Sequence, residues 1–122
     1  MSTKPAVLIL RAQSVQANRI EPVLWGIEEE GVPYEIQGVV SAEPTTELAK
    51  KAAQNSALNV GIAMNEVGEI VLHHRDLPVG MPLFAFSAGI LQPQQLRRLG
   101  TNAGRLAKGH PLVLDSKDNN QG

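Results

Sequence analysis

The chain has 122 residues, enough for one hydrophobic core and one domain over residues 1–122. With 43% hydrophobic and 19% charged side chains it is not a disordered composition, and eleven basic against twelve acidic side chains leave a formal charge of −1, no broad footprint for nucleic acid or anionic lipid. One Trp, one Tyr and two Phe leave little to stack on bases, and the lack of cysteine excludes a disulfide scaffold, a thiolate zinc site and a cysteine nucleophile.

Residues 5–11 (PAVLILR) form a short apolar run that reads as a buried strand. It is shorter than the roughly 7–15 apolar residues of an export signal, and Arg11 closes it. Residues 18–31 have helical spacing, with Ile20, Val23, Leu24 and Ile27 on one stripe. Asn18 and Glu21 are expected to form the capping pair, Gly31 suits the position just past the end, and Pro33 enforces the stop. Pro22 then belongs in the first turn. Residues 34–40 alternate as a second strand, and 45–56 form an Ala/Lys-rich helix entered at Pro44.

Residues 59–65 are apolar almost throughout and predict a central strand. A turn at 66–69, with Gly68 as its φ-permissive residue, sends 70–75 back antiparallel. The next twenty residues, 77–96, carry no charge. They hold Pro78, Pro82 and Pro93 and three glutamines, however, which hydrocarbon would not tolerate. They are expected to contain a fifth strand at 83–86 rather than a membrane span. The last helix, 93–109, carries Leu96, Leu99, Ala103 and Leu106 at helical spacing. Gly100 and Gly104 interrupt it, a spacing that lets two helices pack closely. Residues 115–122 are polar and predict a disordered tail. The sum is an α/β fold: a three-layer αβα sandwich around a sheet of about five strands, mostly parallel with one antiparallel.

The familiar enzyme motifs are missing. No glycine-rich phosphate loop follows the first strand, and there is no nucleophile elbow. His73 and His74 are adjacent on a strand and point to opposite faces, so they cannot ligate one metal from regular geometry. They read as ordinary surface or half-buried histidines. His110 sits at a helix end that favours an imidazolium, and Ser87 has no histidine near it in sequence. The doublets Lys50-Lys51 and Arg97-Arg98 read as solvated charge on helix faces. No catalytic residue is assigned.

Glu28, Glu29 and Glu30 are different. They occupy the negative end of the first helix, where each carboxylate is disfavoured by a few tenths to about 1 kcal/mol. Glu29 falls opposite the apolar stripe, four residues after Trp25, the single tryptophan. An outward tryptophan beside a carboxylate fits an interface; it equally fits a tryptophan covering a loop beside solvated glutamates. Geometry leaves both open.

Four segments carry a family resemblance: residues 24–33 (LWGIEEEGVP), 56–63 (SALNVGIA), the prolines of Leu77-Pro78 and Pro82-Leu83, and 99–109 (LGTNAGRLAKG). Their order and spacing resemble the small subunit of the diol/glycerol dehydratase reactivating factors over roughly residues 5–112, while 12–18, 37–46 and the tail contribute nothing. The resemblance implies a non-catalytic subunit that partners a large, actin-like ATPase subunit, two of each chain. The complex is a chaperone-like factor acting on adenosylcobalamin-dependent diol or glycerol dehydratase, releasing damaged cobalamin so that intact cofactor can bind. It implies a fold similar to the dehydratase's own medium subunit. It implies also that a glutamate of the EEEG block, by position Glu29, reaches a divalent metal (Mg or Ca) shared with the large subunit, with Trp25 and Glu28 in the same interface. Neither ATP nor cobalamin is expected on this chain alone, and the location is cytoplasmic, with association to a bacterial microcompartment as a further option. Two other readings compete: a structural medium-type subunit of the dehydratase itself, and a small enzyme using His73 or His74.

Overall fold

Alternation along β1 (Val7–Ala12) sets the architecture. Val7 and Ile9 point to one side of the sheet, Leu8 and Leu10 to the other, and all four are buried, so both faces must be covered. The structure, a computed structural model, describes residues 5–86 and 91–113; the tail expected to be disordered and Ser87 lie outside the described residues. β1 pairs in parallel with β2 (Tyr34–Val39) on one side and with β3 (Val60–Met64) on the other. β4 (Ile70–His74) runs antiparallel to β3, and β5 (Phe84–Phe86) antiparallel to β4, in the order β2-β1-β3-β4-β5. One strand, β4, therefore opposes the other four, as expected.

The helices divide the core into two. Val7, Ile9, Ile62, Ile70 and Leu72 pack with Val23 and Ile27 of α1 (Glu21–Glu29) and with Leu99 and Ala103 of α3 (Pro93–Lys108). Leu8, Leu10, Ala63 and Val71 pack with Leu48, Ala49 and Ala52 of α2 (Thr45–Asn55) on the opposite face. Burying each such large side chain contributes about 1.5–3 kcal/mol. The result is the expected three-layer sandwich, α1 and α3 on one side of the sheet and α2 on the other.

The start of α1 differs from expectation. Asn18 lies in a 3-10 turn (Ala17–Arg19), and the helix begins at Glu21 after an Ile20 cap with no side-chain hydrogen bond. An α-helix running in from Asn18 would drive the Pro22 ring against the carbonyl four residues back; starting at Glu21 puts Pro22 in the first turn, where no N–H is needed. The end is as expected. Gly31 has φ +72°, its N–H donates to the Glu28 carbonyl at 2.9 Å and Val32 N–H to the Ile27 carbonyl at 3.4 Å. These are the paired bonds of a Schellman motif, with Ile27 and Val32 both in the core.

Glycines bring α1 and α3 together. A Cβ on Gly26 would overlap the Arg97 carbonyl, one on Gly100 the Val23 carbonyl, and one on Gly104 would lie 2.7 Å from Glu30 Cβ. The two helices meet backbone to backbone. The β3–β4 hairpin is closed by Asn65, whose Oδ1 accepts from Val67 N–H (3.1 Å) and Glu69 N–H (2.9 Å), with Gly68 at φ +95°.

Candidate functional site

The Schellman end of α1 holds three consecutive carboxylates in fixed directions, and each has a partner. Glu28 accepts a hydrogen bond from the Tyr34 hydroxyl at 3.1 Å. Glu29 is paired with Arg97, whose Nε lies 3.3 Å from Oε1 while Nη2 contacts Oε2. Glu30 receives Lys108 Nζ at 2.9 Å and Arg105 Nε at 3.3 Å. Lys108 also donates to the Glu30 backbone carbonyl at 2.8 Å, so a cation from α3 caps the negative end of α1. The Lys108 hydrogen bond, helped by Arg105 and opposed by desolvation, holds the Glu30 carboxyl below its usual range. Desolvation, reinforced by the Glu28 carboxylate, pushes the Tyr34 hydroxyl above its own.

These contacts correct the picture of three uncompensated charges at a helix end. Arg97 is not merely solvated charge either, because it pairs with Glu29. The compensating cations were missed because they lie some seventy positions away in sequence (|i−j| of 68 to 78), whereas Tyr34, the neutral partner of Glu28, is six away. A signal existed: on α3, Arg97 and Lys108 fall within about 20° of each other on the helical wheel.

Trp25 is 47% exposed, one turn before Glu29, whose side chain is 50% exposed. Glu28 is exposed as well. Trp25, Glu28 and Glu29 thus form an accessible ridge at the end of α1, while Glu30, only 14% exposed, belongs to the helix junction. Among the described residues no group of three His, Cys, Asp or Glu side chains could hold a metal ion. What the ridge can offer a hard divalent cation is carboxylate oxygen, the donor such ions take, as one ligand of a site completed by another chain.

The histidines separate. His73 is fully buried, a correction to the surface or half-buried expectation; it shares the α2-facing side of β4 with Val71 and lies opposite Gly61, against which the α2 backbone packs directly. The His74 N–H donates to its Nδ1 and its Nε2 reaches the Val79 carbonyl, both at 3.1 Å, so both ring nitrogens are engaged by backbone. His74 is half-buried and accepts from Asp76 N–H at 3.0 Å. The lysine doublet is also more than solvated charge. Lys50 donates to the carbonyls of Arg75 and Leu77, and Lys51 pairs with Glu43 at 2.6 Å.

An open cleft of about 880 Å³ lies beyond the carboxyl ends of β1, β2 and β3, lined by residues including Ser14, Val40, Glu43, Glu66 and Val67. This is where open α/β sheets hold ligands. Ser14 donates to Glu66 at 3.0 Å, and Glu43 pairs through Oε2 with Lys51 from outside the cleft while its Oε1 is buried without a partner; among the described residues no set of side chains converges there as in a reaction centre. Among the described residues no helix is long and apolar enough to cross a membrane.

Comparison with known proteins gives this geometry a family. A family model described as "Dehydratase medium subunit" matches residues 4–113. A "Probable glycerol dehydratase-reactivating factor small subunit" from Citrobacter freundii is 35% identical over 113 residues, covering 90% of this chain and 94% of its own. The "Diol dehydratase-reactivating factor small subunit" of Klebsiella michiganensis is 42% identical over 90 residues, 74% of this chain and 70% of its own. Among solved structures, a chain of diol dehydratase-reactivating factor complexed with ADP and Mg2+ matches with a TM-score of 0.83 at 36% identity, over 92% of this chain and 100% of that one. A chain of a glycerol dehydratase reactivase matches at 0.84 and 36%, over 91% and 98%. The chain therefore belongs to the small-subunit family of the diol/glycerol dehydratase-reactivating factors, built on the fold of the dehydratase medium subunit.

Proposed function

We propose that the chain is the non-catalytic small subunit of an ATP-dependent reactivating factor for adenosylcobalamin-dependent diol or glycerol dehydratase, acting in the cytoplasm. Its partner is a large ATPase subunit, two of each chain, and the complex opens an inactivated dehydratase so that damaged cobalamin leaves and intact cofactor enters. The small chain contributes binding, not chemistry. The observation that carries this reading is the exposed Trp25–Glu29 ridge on a backbone-packed α1–α3 support, in a chain that matches reactivating-factor small subunits nearly end to end.

Glu29 lends a carboxylate oxygen to a divalent cation, Mg or Ca, held mainly by the large subunit, and Trp25 and Glu28 pack in the same contact. Such a cation would supply positive charge between the two chains, and Glu29 would be this chain's oxygen donor to it. The ring of Trp25 supplies apolar area beside it, and the Schellman end of α1 keeps the carboxylate at one height on the surface.

Reconstitution tests the assignment. Dehydratase inactivated with bound cyanocobalamin should regain activity with Mg-ATP, adenosylcobalamin and both subunits, and not with the large subunit alone. Recovery without this chain would overturn it. Glu29→Ala should weaken assembly with the large subunit by about 2–4 kcal/mol, read by calorimetry. A chelator should weaken the wild-type complex and scarcely affect the variant. The description of the matching family model favours a second reading, a medium-type subunit of the dehydratase itself. Stoichiometric co-purification with dehydratase catalytic chains, and with no ATPase, would select it.

A further inference from the structure

The three carboxylates at the end of α1 are not equivalent. Glu30 is nearly buried and takes Lys108 and Arg105 across the helix junction. Glu29 meets one guanidinium, Arg97, which covers both of its oxygens, and each of the two side chains is half exposed. An exposed pair of this kind contributes little to folding. The approach of the two residues does not depend on it, because Gly26 already rests against the Arg97 backbone carbonyl. The Glu29–Arg97 pair is therefore exchangeable where the Glu30 contacts are not.

A divalent cation binds a carboxylate through the same oxygen lone pairs, at roughly 2.0–2.6 Å. A guanidinium lying across both oxygens blocks that approach and repels the ion. We infer that Arg97 is an intramolecular placeholder: it occupies Glu29 in the unassembled chain and must leave when a divalent cation takes the carboxylate, so that it sets the cation concentration at which assembly occurs. This rests on the reading of Glu29 as a ligand of a shared cation and adds a competitor to it.

The test is a Mg2+ titration of capture by immobilised large subunit, run with wild type, Arg97→Gln, Glu29→Gln and the double variant. Arg97→Gln should lower the half-saturating Mg2+ concentration about two- to fivefold, the range expected from releasing one exposed ion pair. In the Glu29→Gln background the same change should shift nothing, because the two effects share one contact. An unchanged thermal midpoint for Arg97→Gln confirms that the fold is intact. If capture needs Mg2+ through Glu29 but Arg97→Gln leaves the half-saturating concentration unchanged or raises it, the placeholder role is overturned and the ligand role stands. If capture is indifferent to both Mg2+ and Glu29→Gln, Glu29 leaves the cation site and the placeholder role falls with it.

Discussion

Lys108 reaches Glu30 twice, at the carboxylate (2.9 Å) and at the backbone carbonyl (2.8 Å), while Arg105 holds the second carboxylate oxygen at 3.3 Å. These contacts favour the charged form and lower the carboxyl pKa in the folded chain. A group depressed on folding stabilises fully above its unfolded value, about 4.3 for glutamate, and that contribution is lost as pH falls through the folded value. Wild type should therefore melt above Glu30→Gln at neutral pH, with the gap closing on acidification below about pH 4.3. Thermal melts from pH 3 to 7 read this directly, and a gap independent of pH would contradict it. Sequence made the oddity of this block visible, because like charges at a helix C-terminus violate a local rule. It did not show the remedy, because Tyr34, Arg97, Arg105 and Lys108 enter through tertiary contact. The burial of His73 was hidden for the same reason: α2, which covers its face of the sheet, and the Val79 carbonyl that meets its ring both come from outside the strand.

Between elements, the α1–α3 seam decides what a small substitution does. In an isolated helix Gly100→Ala would gain about 1 kcal/mol of helix propensity. In this chain the added methyl would run into the Val23 carbonyl, and backbone cannot swing aside as a side chain can. Overpacking of that kind costs about 1–3 kcal/mol, so Gly100→Ala should be destabilising overall, seen as a lower urea midpoint. Gly80→Ala is the control: nothing lies within 4 Å of its Cβ position, and it should be neutral or slightly stabilising, by about 0.4–1 kcal/mol at most. The spacing of Gly100 and Gly104 announced a close helix contact from sequence. Its counterpart Gly26 did not, since one glycine in one helix says nothing about which helix it meets. The start of α1 was misplaced on a similar ground, the local appeal of Asn18 losing to the steric demand of Pro22.

Across the whole molecule the layer order and strand directions were legible because each follows from a short-range rule. A helix between two strands makes a parallel crossover, and a glycine turn between apolar runs makes a hairpin. That regularity has a kinetic consequence. Asn65 and Gly68 join β3 to β4 through a few residues, whereas β1 meets β2 and β3 only after whole helices have been traversed. Closing the smallest loop forfeits the least chain entropy, so the β3–β4 ribbon is the first strand pairing that can persist while the remainder is still unfolded. Asn65→Ala should then act on the refolding limb of a stopped-flow chevron, slowing refolding while leaving unfolding nearly unchanged. A change confined to the unfolding limb would mean that the ribbon zips up late, after β1 has found its place between its neighbours.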